Sequence, residues 1–176
     1  MRAASGTAIP WGMADASPGQ DLATALNIQA TDGWAAAMGV RFVRATVDEL
    51  VAELDIGPHH LQPYGIVHGG VHAGLIETLA SVGAGIVALP RGQSVVGLEN
   101  HTTFLRAARA GRLRVTATPI SRGRTTQVWE GVVEDAAGQL LATGRVRLLC
   151  VAPDREVAGG KLEIPGLKMP LKPDRG

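Results

Sequence analysis

Hydrophobic and polar residues alternate along most of the chain, with one long interruption. Val40-Arg41-Phe42-Val43-Arg44 predicts a first strand. Leu50, Ala52, Leu54 and Ile56, alternating with Val51, Glu53 and Asp55, predict a second, half-buried one. Gly57-Pro58 stops it, and His59-His60-Leu61-Gln62-Pro63 is a loop. From Gly70 to Leu89 the alternation gives way to a long apolar helix, which Pro90-Arg91-Gly92 ends. The period of two then returns. Ser94 to Phe104 is β-rich, and Leu113, Val115 and Ala117 alternate with Arg112, Arg114 and Thr116. Thr125 to Glu134 sets Gln127, Trp129, Gly131 and Val133 opposite Val128, Glu130, Val132 and Glu134, and Gln139 to Val151 closes the series. Ala107–Gly111, Arg122-Gly123-Arg124 and Asp135–Gly138 are the turns between them. A short helix, Trp34 to Met38, capped by Asp32 and ended by Gly39, precedes the first strand. Two strands, a long helix and four strands predict an α+β fold, with an antiparallel β-sheet wrapped around one long central α-helix. The helix is apolar nearly all round, so its outer side needs a cover. A second copy of the chain is the economical one.

Composition narrows this. The chain has 176 residues and is 45% hydrophobic, which fits one globular domain with a real core. A net charge of +1 makes no case for nucleic acid or a membrane surface as partner. The single cysteine, Cys150, excludes an internal disulfide framework and a cysteine zinc site; it fits a reducing cytoplasm, the expected location. Met1-Arg2-Ala3-Ala4-Ser5-Gly6-Thr7 has no apolar core of a signal peptide. Residues 1–30 are expected to be a flexible or draped extension, 31–152 the folded domain, and 153–176 a Gly/Pro/Lys-rich C-terminal tail.

The candidate chemistry lies in the helix. Between Gly70 and Leu89 there is one formal charge, Glu77. An ionised carboxylate on such a surface is costly unless it is hydrogen-bonded or has a job. Gly69 and Gly70 leave backbone N–H groups uncovered at the helix N-terminus. Gly70 and Glu77 are seven residues apart, on one helix face, so donors and carboxylate are expected to face one spot. That pair suits attack on a carbonyl, with the N–H groups holding the oxyanion and the carboxylate acting as base or nucleophile. The competing readings are a salt-bridged glutamate on a core helix, a membrane span of about 20 residues, and glycines that only make a tight turn. The central Glu77 and the missing basic flank argue against the span. His68, just before the helix, fits a turn anchor better than a base, and His72, five residues from Glu77, points off its face. Arg106, Arg109, Arg112 and Arg114 cluster, and guanidinium groups suit phosphates, although such a cluster is more often a solvated face. Cys150 reads as an apolar filler.

The segment Gln62-Pro63-Tyr64-Gly65-Ile66-Val67-His68-Gly69-Gly70 with Glu77, the segment Gly97-Leu98-Glu99-Asn100-His101-Thr102-Thr103-Phe104-Leu105-Arg106, and Gly123-Arg124-Thr125-Thr126 resemble the hotdog-fold acyl-CoA thioesterases. The likeness is to the branch holding 4-hydroxybenzoyl-CoA thioesterase with a helix-borne glutamate and the phenylacetate-pathway thioesterases. It covers about residues 34–151. The resemblance implies Glu77 as the catalytic nucleophile or general base, Gly69 as the N–H that polarises the thioester carbonyl, and Gln62 as its assistant from the partner subunit. It places Ser81 where relatives have a threonine that positions water. It puts Gly70 and His68 beside the substrate, and Arg106, Arg124 and Thr125 against the coenzyme A phosphates and pantetheine arm. The implied activity is hydrolysis of an aryl- or medium-chain acyl-CoA by a dimer or dimer of dimers, with no metal and no cofactor, coenzyme A being part of the substrate. A hotdog 3-hydroxyacyl-thioester dehydratase and a non-catalytic acyl-CoA-binding module are the alternatives. The first normally carries a His-Phe-Pro-type loop where this chain has His68-Gly69-Gly70. The second normally carries a DNA-binding appendage, of which residues 1–30 show no helix-turn-helix pattern and no basic run.

Overall fold

A computed structural model describes residues 20–29, 31–152 and 154–162. Helices α1 (Ala23–Gln29) and α2 (Gly33–Ala37) lead into strands β1 (Arg41–Ala45) and β2 (Leu50–Asp55). The long helix α3 (Gly69–Ala88) follows, then β3 (Ser94–Phe104), β4 (Arg112–Arg122), β5 (Thr126–Asp135) and β6 (Leu140–Val151). The six strands form one antiparallel sheet in the order β1-β2-β4-β5-β6-β3. The sheet wraps α3, which packs against β2 to β6. This is the hotdog arrangement.

The alternation of apolar residues sets which strand face turns to the helix. On β5, Gln127, Trp129, Gly131 and Val133 are buried and the intervening residues are not. On α3 the buried residues include Val71, Leu75, Ile76, Leu79, Gly83 and Ala84, at helical spacing. The helix lies close on the sheet at Gly83, where a Cβ would lie 2.6 Å from both Leu50 and Trp129. Ile76 fills the matching gap over Gly131 of β5. The Trp129 indole N–H donates to the Gln127 amide oxygen at 3.1 Å, and the Gln127 amide donates to the Ala84 carbonyl, so these two buried side chains are paired. By length and composition Gly69–Arg91 would cross a bilayer, but half of its apolar window is buried inside this fold. The outer stripe of α3 (Ala73, Gly74, Glu77, Thr78, Ser81, Val82, Gly85) is only half-covered. Trp34 of α2 lies on Gly74, where a Cβ would be 2.4 Å from the indole ring.

Three local expectations are modified. Residues 20–29, expected to be part of a flexible or draped extension, hold α1, with Leu22 and Ala23 buried against β1. Residues 1–19 and residue 30 lie outside the described residues. Asp32 occupies the N-cap position of α2, but its side chain makes no capping hydrogen bond. In the expected tail, β7 (Glu156–Val157) and β8 (Gly160–Lys161) form a small hairpin, and Ser94 Oγ donates to the Leu162 carbonyl at 3.3 Å. Residues 163–176 lie outside the described residues.

Candidate active site

The start of α3 is built by steric demand. Gln62 N–H donates to the Ile66 carbonyl at 2.8 Å, closing a tight loop, and Gly65 takes φ of 68° within it. Arg109 Nη1 donates to the carbonyls of Tyr64 and Gly65 and clamps the loop from β4's side. His68 is the N-cap: its Nδ1 accepts from Gly70 N–H at 2.9 Å. That bond leaves the proton of the neutral ring on Nε2. It also uses up one of the two expected donors. Gly70 N–H is occupied, while Gly69 N–H has no partner among the described residues. Gly69 and Gly70 are glycines for space: a Cβ at Gly69 would meet the Phe104 ring at 2.9 Å, and one at Gly70 would meet His68 Nδ1 at 2.9 Å.

Beside Gly69 lies an open groove of about 520 Å³, lined by Gln62, Ile66, His68, His72, Phe104 and Arg106 among others. It joins five predicted residues, Gln62, His68, Gly69, Gly70 and Arg106. It also includes His72, which was expected to point away from the site. His72 is three residues after Gly69, so it shares Gly69's face rather than Glu77's.

Glu77 is held elsewhere. Its Oε2 accepts from Asn100 Nδ2 at 2.9 Å, and its Oε1 accepts from Ser81 Oγ at 3.3 Å. Asn100 Nδ2 also donates to the Ala73 carbonyl, and Thr102 Oγ1 donates to Asn100 Oδ1 at 2.7 Å. Both partners of Nδ2 are pure acceptors, so the amide orientation follows from chemistry. Gly97 completes the nest: a Cβ there would lie 2.7 Å from Glu77 Oε1. Gly97 and Asn100 reach the same carboxylate because Leu98 bulges out between them. The extra residue puts an odd and an even position on one strand face.

The expectation that the helix end and Glu77 face one spot therefore does not hold within one chain. Eight residues separate Gly69 from Glu77, about 12 Å along the axis. The contacts to Ser81 and Gly97 keep the carboxylate at its own level, and it does not line the groove. A carbonyl gripped by an N–H and attacked by a carboxylate needs the two within about 7 Å. Within one chain the Gly69 groove and the Glu77 carboxylate are two separate polar places.

The arginines divide as well. Arg112 holds Asp55 through two bonds and reaches Glu53, and Arg114 pairs with Glu53. These are the solvated cross-strand pairs of β2 and β4, and Arg112 holds the Asp55 carboxyl below its usual range. Arg106 makes no side-chain ion pair among the described residues and stands at the groove. Arg124 and Thr125 are at the other end of α3. The Arg124 carbonyl accepts from Gln93 Nε2, and the Thr125 carbonyl accepts from Cys150 N–H. They do not meet Arg106 within the chain. Cys150 is a buried free thiol packed near Gln127. Among the described residues no cluster of three His, Cys, Asp or Glu stands together as a metal site.

Comparison with known proteins gives this geometry a family. The family model for the thioesterase superfamily matches residues 64–142. The proofreading thioesterase EntH of Klebsiella pneumoniae is 37% identical over 122 residues, 69% of this chain and 88% of EntH. The chain belongs to the thioesterase superfamily. The structure of AziG from S. sahachiroi is 41% identical and superposes with a TM-score of 0.66, covering 69% of this chain and 98% of that one. That of the thioesterase HI1161 from Haemophilus influenzae is 29% identical, with a TM-score of 0.70 over 74% of this chain and 90% of that one. Thioester hydrolysis is the reaction class of this thioesterase.

Sequence reasoning missed Asn100, Thr102, Gly97 and His72 as site residues. The signal for the first two was a polar run, Glu99 to Thr103, in a strand of an otherwise apolar series. The bulge at Leu98 hid the third, because strand parity places Gly97 on the wrong face.

Proposed function

We propose that the thioesterase hydrolyses an aryl- or medium-chain acyl-CoA at a site that two copies build together. The observation that carries this reading is the division of one chain into an N–H half and a carboxylate half. The thioester oxygen accepts from Gly69 N–H, assisted by Gln62, and the partner's Glu77 acts on the carbonyl carbon. Glu77 either attacks, forming an acyl anhydride as the C–S bond breaks and the coenzyme A thiolate leaves, or takes a proton from a water that attacks instead. On the nucleophilic route water then cleaves the anhydride and restores the carboxylate. Asn100 and Thr102 hold the carboxylate in place, and Ser81 offers its hydroxyl to the water. The thiolate leaves without metal or cofactor.

Strand β3 supplies the route to pairing. It is an edge strand bonded on one side to β6, and Leu98 and Phe104 on it are exposed. Two β3 strands paired antiparallel about a dyad near His101 bring the Glu77 level of one chain to the Phe104 level of the other, where Gly69 lies. The same operation carries Arg124 and Thr125 toward the Arg106 end, where coenzyme A phosphates would sit. The assembly is a dimer or dimer of dimers, working in a reducing cytoplasm without nucleic acid or membrane.

The test is thiol release from a panel of aryl and aliphatic acyl-CoAs, wild type against Glu77→Gln and Glu77→Ala. Turnover is expected to fall at least about 100-fold in both, the lower end for a positioned acid–base group. Wild-type rates in Glu77→Ala would sink the assignment.

A further inference from the structure

A second cleft opens at the far end of α3. It measures about 270 Å³ and is lined by Val47, Ile86, Val87, Pro90, Arg91 and Arg122. Seventeen residues separate Gly69 from Ile86, about 25 Å along the helix axis, so this cleft stands apart from the groove beside Gly69. Its floor is apolar and its rim is cationic. The turn between β1 and β2 brings Val47, the last turn of α3 brings Ile86 and Val87, and Pro90 follows the helix end. Arg122, at the end of β4, reaches across to that turn. Its Nη1 donates to the Val47 carbonyl at 3.0 Å and to Asp48 Oδ1 at 2.9 Å. Its Nε and Nη2 make no hydrogen bond among the described residues. The Arg91 side chain makes neither a hydrogen bond nor an ion pair among them. Arg112 and Arg114 are different, because Asp55 and Glu53 hold them.

We propose that this cleft binds a carboxylate carried on an apolar chain of about eight carbons, as a site separate from the thioester groove. The head group follows from Arg122. A carboxylate, that of Asp48, already bonds its Nη1, and the free Nε–Nη2 edge offers a two-donor fork to another. Asp48 offsets one of the two positive charges on the rim, so one charge is left for one carboxylate. The tail follows from the floor. At about 30 Å³ for each water-sized group, the cleft holds about nine groups, a head and a chain of about eight carbons. A solvated pair of arginines would explain the charges but not the apolar floor between them. A bare apolar cleft would not explain why two cations border it. The ligand class includes the acid that the proposed reaction would release, but the binding itself does not depend on that reading.

The test is titration calorimetry with nonanoate below its micelle concentration. Wild type is expected to bind it saturably. Arg91→Gln weakens that binding by about 10-fold or more, the effect of losing one charge-assisted contact. Asp48→Asn acts the other way and tightens it, because the competing carboxylate is gone and Arg122 is freed. Nonanol has the chain without the charge and acetate the charge without the chain, and each binds about 10-fold or more weakly than nonanoate. Thermal unfolding checks that each variant is folded. Nonanoate taken up by the groove beside Gly69 is untouched by either substitution, so the two variants isolate the cleft. No saturable binding in wild type, an unchanged Kd in Arg91→Gln, or equal affinity for nonanol overturns the proposal. The readout is binding, so the result stands whether or not the protein cleaves thioesters.

Discussion

The two edges of the sheet are finished in opposite ways. At β1 the chain closes its own edge. Asn27 of α1 offers its amide to both backbone groups of Phe42, donating to the carbonyl and accepting from the N–H at 2.8 Å each. Asp21 accepts from Ala45 N–H at 3.0 Å, and Leu22 N–H donates to the Ala45 carbonyl. A helix and two side chains thus imitate a seventh strand. At β3 nothing in the described residues does this, although β3 has eleven residues against five in β1. An uncovered long edge is a liability for a monomer unless another chain takes it. The uncovered edge also carries Gly97, Asn100, Thr102 and Phe104, which shape the surroundings of Glu77 and of Gly69. The chain closes the β1 edge alone, and among the described residues it leaves open the β3 edge, which holds Glu77 and meets Gly69.

The strongest way to break this comparison is to separate the half-sites genetically. Glu77→Gln removes the carboxylate, and Gln62→Ala damages the N–H side. Each alone is expected to lose about 100-fold or more in kcat. Mixed under conditions that let subunits exchange, they should recover about a quarter of wild-type activity, since half the dimers carry one intact site. A mixture as inactive as its parts would mean that β3 does not unite two half-sites. Next in size is Gly97→Ala. Its methyl group would lie 2.7 Å from Glu77 Oε1 and must push the carboxylate off its Asn100 bond. A shift near 1 Å can cost up to about 100-fold in kcat, and steady-state kinetics with little change in Tm is the expected signature. Equal kcat would show that Glu77 need not sit against β3. On the opposite edge, Asn27→Ala should cost about 1–2 kcal/mol of stability by urea unfolding and leave kcat unchanged. A kcat loss there would erase the distinction between the edges.

The sheet was legible in the sequence because its alternation is regular and its turns carry glycine and charge. The central helix was legible because no alternating stretch resembles Gly70–Leu89. The site was legible only in parts. Glu77 stands out as a lone charge and Gly69-Gly70 as a helix start, but their separation along the axis keeps them apart within one chain. Gly70's lost donor could not be seen, because it depends on which way the His68 ring turns. Gly97 was hidden by a bulge, which no local residue type announces. The position of α1 depends on pairing across 15 residues, between Asn27 and Phe42. The polar segment around it has no period of its own to show this.

The smallest effect tests the two buried histidines. His60 bonds to Met38 just ahead of β1, and His72 lies near Phe104 at the end of β3. Burial lowers the pKa of both. For His60 the charge of His59 adds to this and the Met38 carbonyl opposes it. The unfolded chain protonates them near the ordinary value of about 6.5, while the folded chain resists. Above that pH neither histidine affects stability. As pH falls through it, the unfolded state takes up protons that the folded state refuses, and stability declines by up to about 1.4 kcal/mol per pH unit for each. Urea midpoints between pH 7.5 and 5.5 should therefore fall, and His72→Leu should remove one share of that slope. Because His60 keeps its own share, the variant must still lose stability on acidification. A flat profile in His72→Leu would assign the whole acid response to the groove, and an unchanged slope would assign it to the β1 side.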